Sequence, residues 1–166
     1  MIIRAETAAD IAAITDVTVA AFRNQPFSHQ TEHFIVNALR AGRALTISLV
    51  AEVDGHVVGH IAFSPVTVSD GSRDWFGLGP VSVLPERQRQ GIGSALINEG
   101  LSSLRALGAR GCALVGDPHY YVRFGFRNSP RLVYEGIPQE YFQVLPFAGE
   151  VPEGVVVFHE GFQATV

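Results

Sequence analysis

The chain has 166 residues, 47% of them apolar, a formal charge of −4 and one cysteine. That length suits a single domain, 1–166, because two domains would each be marginal. No apolar run approaches the roughly 18 to 20 residues of a membrane span, the N-terminus lacks a basic-then-apolar secretory pattern, and the scattered arginines form no nucleic-acid footprint; a cytoplasmic protein without membrane or nucleic-acid partners is expected.

Ile2–Ala5 reads as an opening strand, and Thr7 with Asp10 three residues on forms a capping-box signal for a helix carrying Ile11, Ile14, Val17 and Phe22. Arg23–Gln30 holds Pro26 and no periodicity, so it reads as a loop. Thr31 is placed to cap a second helix with Phe34, Ile35, Ala38 and Leu39 on one side. From Leu45 the pattern turns to strands. Asp54-Gly55 between Leu45–Val53 and His56–Phe63 is a strong hairpin signal; Val66–Val68, a turn at Asp70-Gly71-Ser72 and a strand over Trp75–Val83 follow.

Val83-Leu84-Pro85-Glu86-Arg87-Gln88-Arg89-Gln90-Gly91-Ile92-Gly93-Ser94 then leads a strand through a basic, glycine-containing turn into a helix with Ile97, Leu101 and Leu104 at helical spacing. The first turn of a helix leaves several N–H groups without internal partners and is partly positive, so an anion fits there. A side chain at Gly91 or Gly93 would hold a diphosphate away from those amides, while Arg87, Gln88 and Arg89 add donors. A Walker loop is excluded because the chain has no lysine, and the dinucleotide fingerprint lacks its third glycine. After Gly108, a short strand over Gly111–Val115 should lie parallel to Trp75–Val83, since strand, helix and strand of these lengths make a right-handed crossover. Pro118 opens a short helix to about Phe124, and strands over Phe126–Tyr134 and Val155–Phe162, with a loop through Pro138 and Tyr141 between them, complete the sheet.

Gln88-x-x-Gly91-x-Gly93, with Pro85-Glu86 before it and Tyr121-Val122-Arg123-Phe124-Gly125-Phe126 after it, resembles the acetyl-CoA loop and the Tyr-x-x-x-Gly-Phe segment of the GNAT superfamily of N-acetyltransferases. The resemblance implies an α/β fold in which a mostly antiparallel central sheet, flanked by helices, has one parallel strand pair splayed at the cofactor site. It also implies acetyl-CoA as co-substrate and transfer of the acetyl group to a primary amine by direct attack in a ternary complex. The cofactor-binding residues so implied are Val81, Ser82, Val83, Gln88, Arg89, Gln90, Gly91, Ile92, Gly93 and Ser94. The strand through Val81 and Val83 would offer N–H groups to the thioester carbonyl, and Gly79-Pro80 is consistent with a bulge beside the splay.

By the same resemblance Tyr121 is the general acid for the leaving thiolate, with Tyr120 its competitor, and Phe27, Ser28 and His29 border the acceptor pocket. Asp117 and His119 sit at the C-terminal end of the Gly111–Val115 strand, where open sheets tend to hold ligands, and are candidates for the base. Each has a plainer reading: Asp117-Pro118 is an ordinary helix start, and His119 is then a residue of its first turn. Glu52 and His60 lie on hairpin strands whose faces alternation does not phase. The chain has one cysteine and therefore no cysteine pair, so no metal is expected. The partners implied are acetyl-CoA and an amine acceptor, with a homodimer left open. A non-catalytic acyl-CoA-binding module is the alternative.

Overall fold

The computed structural model describes all residues, 1–166. Its strands are β1 (Ile2–Ala5), β2 (Ile47–Val53), β3 (His56–Val68), β4 (Trp75–Val83), β5 (Gly111–Val115), β6 (Leu132–Val133), β7 (Phe142–Pro146) and β8 (Gly154–Phe158). Its helices are α1 (Ile11–Phe22), α2 (Glu32–Ala41), α3 (Ile92–Ala106) and the short α4 (Pro118–Tyr121). The main path of the sheet runs β1-β2-β3-β4-β5-β7, and β8 pairs with the far end of β3 and with β6. Every pairing along the main path is antiparallel except β4 with β5. No helix is long and apolar enough to cross a membrane.

The expected hairpin joins β2 to β3, with Asp54 and Gly55 at φ 51° and 79°, the left-handed pair that matches strand twist. Alternation along β3 divides its residues between two layers. Ile61 and Phe63 face α3 and pack with Leu96, Ile97, Leu101, Leu104 and Phe126 in the main core. Each fully buried side chain of this kind contributes roughly 2 kcal/mol of transfer free energy. His60, Ala62 and Ser64 face the other way, toward α1 and α2, where Ile14, Val36 and Val50 form a smaller cluster. At the sheet's first edge, Arg4 donates to both oxygens of Asp10, at 2.7 and 3.0 Å, and to Glu52 at 3.1 Å. The Asp10 carboxylate also accepts the Thr7 N–H at 2.7 Å. A 3-10 turn over Ala8–Asp10 precedes α1, so the helix proper starts at Ile11.

Several expectations need correction. Phe126–Tyr134 is not a strand: Arg127 makes one isolated bridge to Val144, and only Leu132–Val133 is extended and paired. Pro130 interrupts the run, and the Asn128 amide instead donates to the carbonyls of Gln139, Glu140 and Phe142. The strand missing from the expected set is β7, paired antiparallel to β5 along its full length. Gln143 interrupts its apolar run, yet this side chain is buried, with Nε2 donating to the Gly116 carbonyl at 3.0 Å. β8 ends at Phe158 and passes into a 3-10 turn, Glu160–Gln163. Thr31 occupies the start of α2 without a side-chain cap bond. Ser28 instead donates its hydroxyl to the Glu32 carboxylate at 2.7 Å.

β4 and β5 pair only through Trp75–Gly111, Phe76–Cys112 and Gly77–Ala113. Beyond Gly77 they part. The register of β4 against β3 shifts there too, from Phe63 opposite Leu78 to Ile61 opposite Val81, so that Gly79 and Pro80 together face Ala62. This extra residue bends β4 away from β5 and opens the sheet at its centre.

Candidate active site

The turn after β4 is shaped for main-chain donors. Pro85–Arg87 forms a 3-10 turn, Arg89 and Gly91 take left-handed φ of 62° and 85°, and α3 begins directly after Gly91. The Gln88 side chain ties this loop to the end of β4 by donating Nε2 to the Val83 carbonyl at 3.0 Å. As a result, the N–H groups of residues 89–94 donate to no acceptor within the protein, and all lie at the positive end of a 15-residue helix. A Cβ at Gly91 would meet no atom within 4 Å, so its φ and the room it leaves for a ligand, not crowding, are what call for glycine.

A cavity of about 600 Å³ lies over these amides. Arg87, Arg89 and Arg123 enter it, with no carboxylate, and Val81, Val83, Gln88, Ile92, Gly93 and Ser94 complete the wall together with Gly91, Ile97 and Tyr120. Ser82 and Gln90 lie outside it. The Ser82 side chain is buried on the α1 face of the sheet, and Gln90 folds back to donate Nε2 to the Glu86 carbonyl at 3.3 Å. Free amides, three guanidiniums and an apolar channel beyond them fit a diphosphate carrying an extended thiol arm.

A second cavity, of about 720 Å³, occupies the gap between β4 and β5. Leu78, Gly79 and Pro80 form one wall and Val115 and Gly116 another; Phe22 and Phe27 close it from the end of α1 and the following loop. Val81, Gln88 and Tyr120 border both cavities, so the two spaces meet at the splay. Of the three residues expected beside an acceptor, Phe27 lines this space, whereas Ser28 and His29 do not.

The aromatic pair of α4 stands where the cavities meet. Tyr120 and Tyr121 pack edge to face, 4.9 Å between centroids, and Arg123 lies 4.6 Å over the Tyr120 ring while its Nε donates to the Tyr120 carbonyl at 2.9 Å. Tyr121 lines only the second cavity, packed under Gly116 and against Phe126, and its hydroxyl has no hydrogen-bond partner in the protein. Burial first, then the proximity of Tyr120, Cys112 and Asp117, pushes its phenol well above the ordinary range, so it stays protonated. Asp117 lines the same cavity and caps α4, accepting the His119 N–H at 2.9 Å through one oxygen. The other oxygen has no donor in the protein. The His119 ring is exposed and lines neither cavity.

The other two titratable groups raised by the sequence lie elsewhere. Glu52 pairs with Arg4 at the sheet edge. His60 is fully buried beneath α1 and α2, with Nε2 2.7 Å from the Ser48 hydroxyl, which in turn donates to Glu6. Burial pulls its pKa down to about 4, only partly opposed by the Glu6 carboxylate. Sequence reasoning left Phe22, Gln25, Leu78 and Val115 unassigned. They carry no motif and come together only because the sheet opens.

A partly parallel sheet that parts beside a helix start of unpaired amides is the architecture of an acyltransferase. Residues 12–126 match the Acetyltransferase (GNAT) family. Over 170 aligned positions the chain is 35% identical to the uncharacterized N-acetyltransferase YhbS of Escherichia coli (strain K12), covering 98% of each. Its fold superposes with a TM-score of 0.87 on a GNAT family acetyltransferase from Brucella melitensis solved in complex with acetyl-CoA, at 53% identity and 97% coverage of both chains. Against YhbS from Escherichia coli in complex with CoA the TM-score is 0.86, at 34% identity, covering 98% of this chain and 91% of that one. The chain belongs to the GNAT acetyltransferase family.

Proposed function

We propose that the protein transfers the acetyl group of acetyl-CoA to a primary amine, with both substrates bound at once. The observation that carries this reading is the meeting of two cavities of opposite character at Val81, Gln88 and Tyr120. Acetyl-CoA held there would supply an activated acyl carbon and a thiolate leaving group. The amides of residues 89–94 and the arginines of the first cavity would grip its diphosphate, and the β5-facing edge of β4 offers main-chain groups to the extended arm and carbonyl.

Chemically, the amine nitrogen forms a bond to the acyl carbon as the carbon–sulfur bond breaks; sulfur leaves as the thiolate, and the proton then shed by nitrogen reaches it through water. Tyr121 would donate a hydrogen bond to the departing sulfur. With its phenol pKa raised, it serves better by stabilising the thiolate than by giving up its proton outright. The free oxygen of Asp117 receives the incoming ammonium and hands its proton to water, leaving His119 without a role in the step. The apolar walls favour the neutral amine that attack requires.

The lack of a reactive thiol supports direct attack. Cys112 is the chain's single thiol; it is fully buried, and burial pushes its pKa far up, so no thiolate is available for a covalent acyl-enzyme. Thiol-release kinetics with acetyl-CoA and a broad amine panel test the reading. Intersecting initial-rate patterns are expected. Parallel patterns would overturn direct attack, and tight acetyl-CoA binding without thiol release for any amine would leave a binding module instead.

A further inference from the structure

The two cavities sort their charge. Three guanidiniums and no carboxylate line the first; one carboxylate, Asp117, and no arginine or histidine lines the second. The remaining polar side chains of the second wall are the neutral Gln25 and Gln88 and two phenols, and four rings, Phe22, Phe27, Tyr120 and Tyr121, face one space. Its mouth is apolar as well. Phe27 is 72% exposed and Val115 46%, so large apolar surface at the rim is left for an occupant to cover.

We propose that the acceptor is an arylalkylamine: a primary amine on an aromatic body, with no anionic group beside the nitrogen. This rests on the acetyl-transfer reading above. The unpaired oxygen of Asp117 meets the ammonium, and the rings and Pro80 pack the body. An amino acid would bring its own carboxylate against Asp117 with no cation to answer it, a like-charge contact that selects against it. A polyamine is disfavoured for the opposite reason, because its further ammonium groups would lie against rings and Pro80 with no second carboxylate in the lining.

Steady-state kinetics of the full chain at saturating acetyl-CoA, with phenethylamine, phenylalanine and spermidine, test this directly. Phenethylamine and phenylalanine share amine and ring and differ by one carboxylate. We expect kcat/KM for phenethylamine to exceed that for the other two by about tenfold or more. Asp117→Asn keeps an acceptor for the His119 N–H, so α4 stays capped, and should raise KM for phenethylamine about tenfold while leaving the acetyl-CoA Kd unchanged. Phe27→Ala, at a largely exposed position outside the buried core, should raise the same KM severalfold. Equal or better turnover of phenylalanine or spermidine overturns the acceptor class and leaves acetyl transfer standing. An unaltered KM in both variants also overturns it. Thiol release with none of the amines, despite calorimetric binding of acetyl-CoA, brings down the transfer reading and the acceptor class together.

Discussion

The arginine-lined cavity and the apolar cavity are built in opposite ways. The first draws most of its wall from one stretch, residues 81–97, with Tyr120 and Arg123 added from α4 and the turn after it. The second is gathered from three separated pieces, residues 21–27, 78–88 and 115–121. Their foundations differ too. α3 rests on an entirely apolar layer, whereas α1, which carries Phe22, covers His60, Ser64 and Ser82, and His60 Nδ1 and both hydroxyls there have no protein partner. One half is a local device on a dry base, and the other is a long-range assembly over polar groups. A local device tolerates change elsewhere but fails outright when its own backbone is disturbed.

The sharpest way to break this contrast is Gly91→Glu. At φ 85° the new side chain is strained, and its carboxylate enters the space over the free amides. We expect acetyl-CoA affinity to fall about a thousandfold, roughly 4 kcal/mol, by calorimetry. Retained micromolar binding would show that these amides do not hold the diphosphate.

The polar base should appear as acid sensitivity. His60 gains a proton near 6.5 in the unfolded chain but near 4 when folded. Between those values the unfolded state binds more protons, so stability is full above about pH 6.5 and declines as pH falls toward 4, by about 3 kcal/mol at most. Urea midpoints at about pH 7 and pH 4.5 should differ in the wild type and much less in His60→Gln. Identical slopes in the two proteins would remove His60 as the cause.

The smallest effect separates the paired phenols. Tyr121→Phe should lower kcat about tenfold with the acetyl-CoA Kd unchanged, while Tyr120→Phe should leave kcat within about twofold. The reverse pattern would place the thiolate donor at Tyr120, the tyrosine that borders both cavities.

The same contrast explains what the sequence made legible. The hairpin at Asp54-Gly55, the parallel crossover into β5 and the cradle are written in neighbouring residues, where turn chemistry and periodicity act. β7 escaped because Gln143 interrupts its pattern, and only the Gly116 carbonyl, 27 residues away in the chain, explains a glutamine in the core. Phe22 and Val115 read as ordinary core apolars. The splay of β4 from β5 is expected from the resemblance and from Gly79-Pro80, but nothing near Phe22 or Val115 shows that they line the space it opens. The faces of His60 and Glu52 became clear only once the register of β3 was known.

Three residue pairs of contact between β4 and β5 leave an unzipped seam inside the sheet. Main-chain groups along it behave like those of an outer edge strand and must be hydrated until an extended guest lies between them. A small molecule lying in that seam in extended form would complete the sheet. At a guest concentration a hundred times its dissociation constant, such binding would add about 2.7 kcal/mol to the folded state. Resistance to heat and proteases should then rise with the concentration of acetyl-CoA.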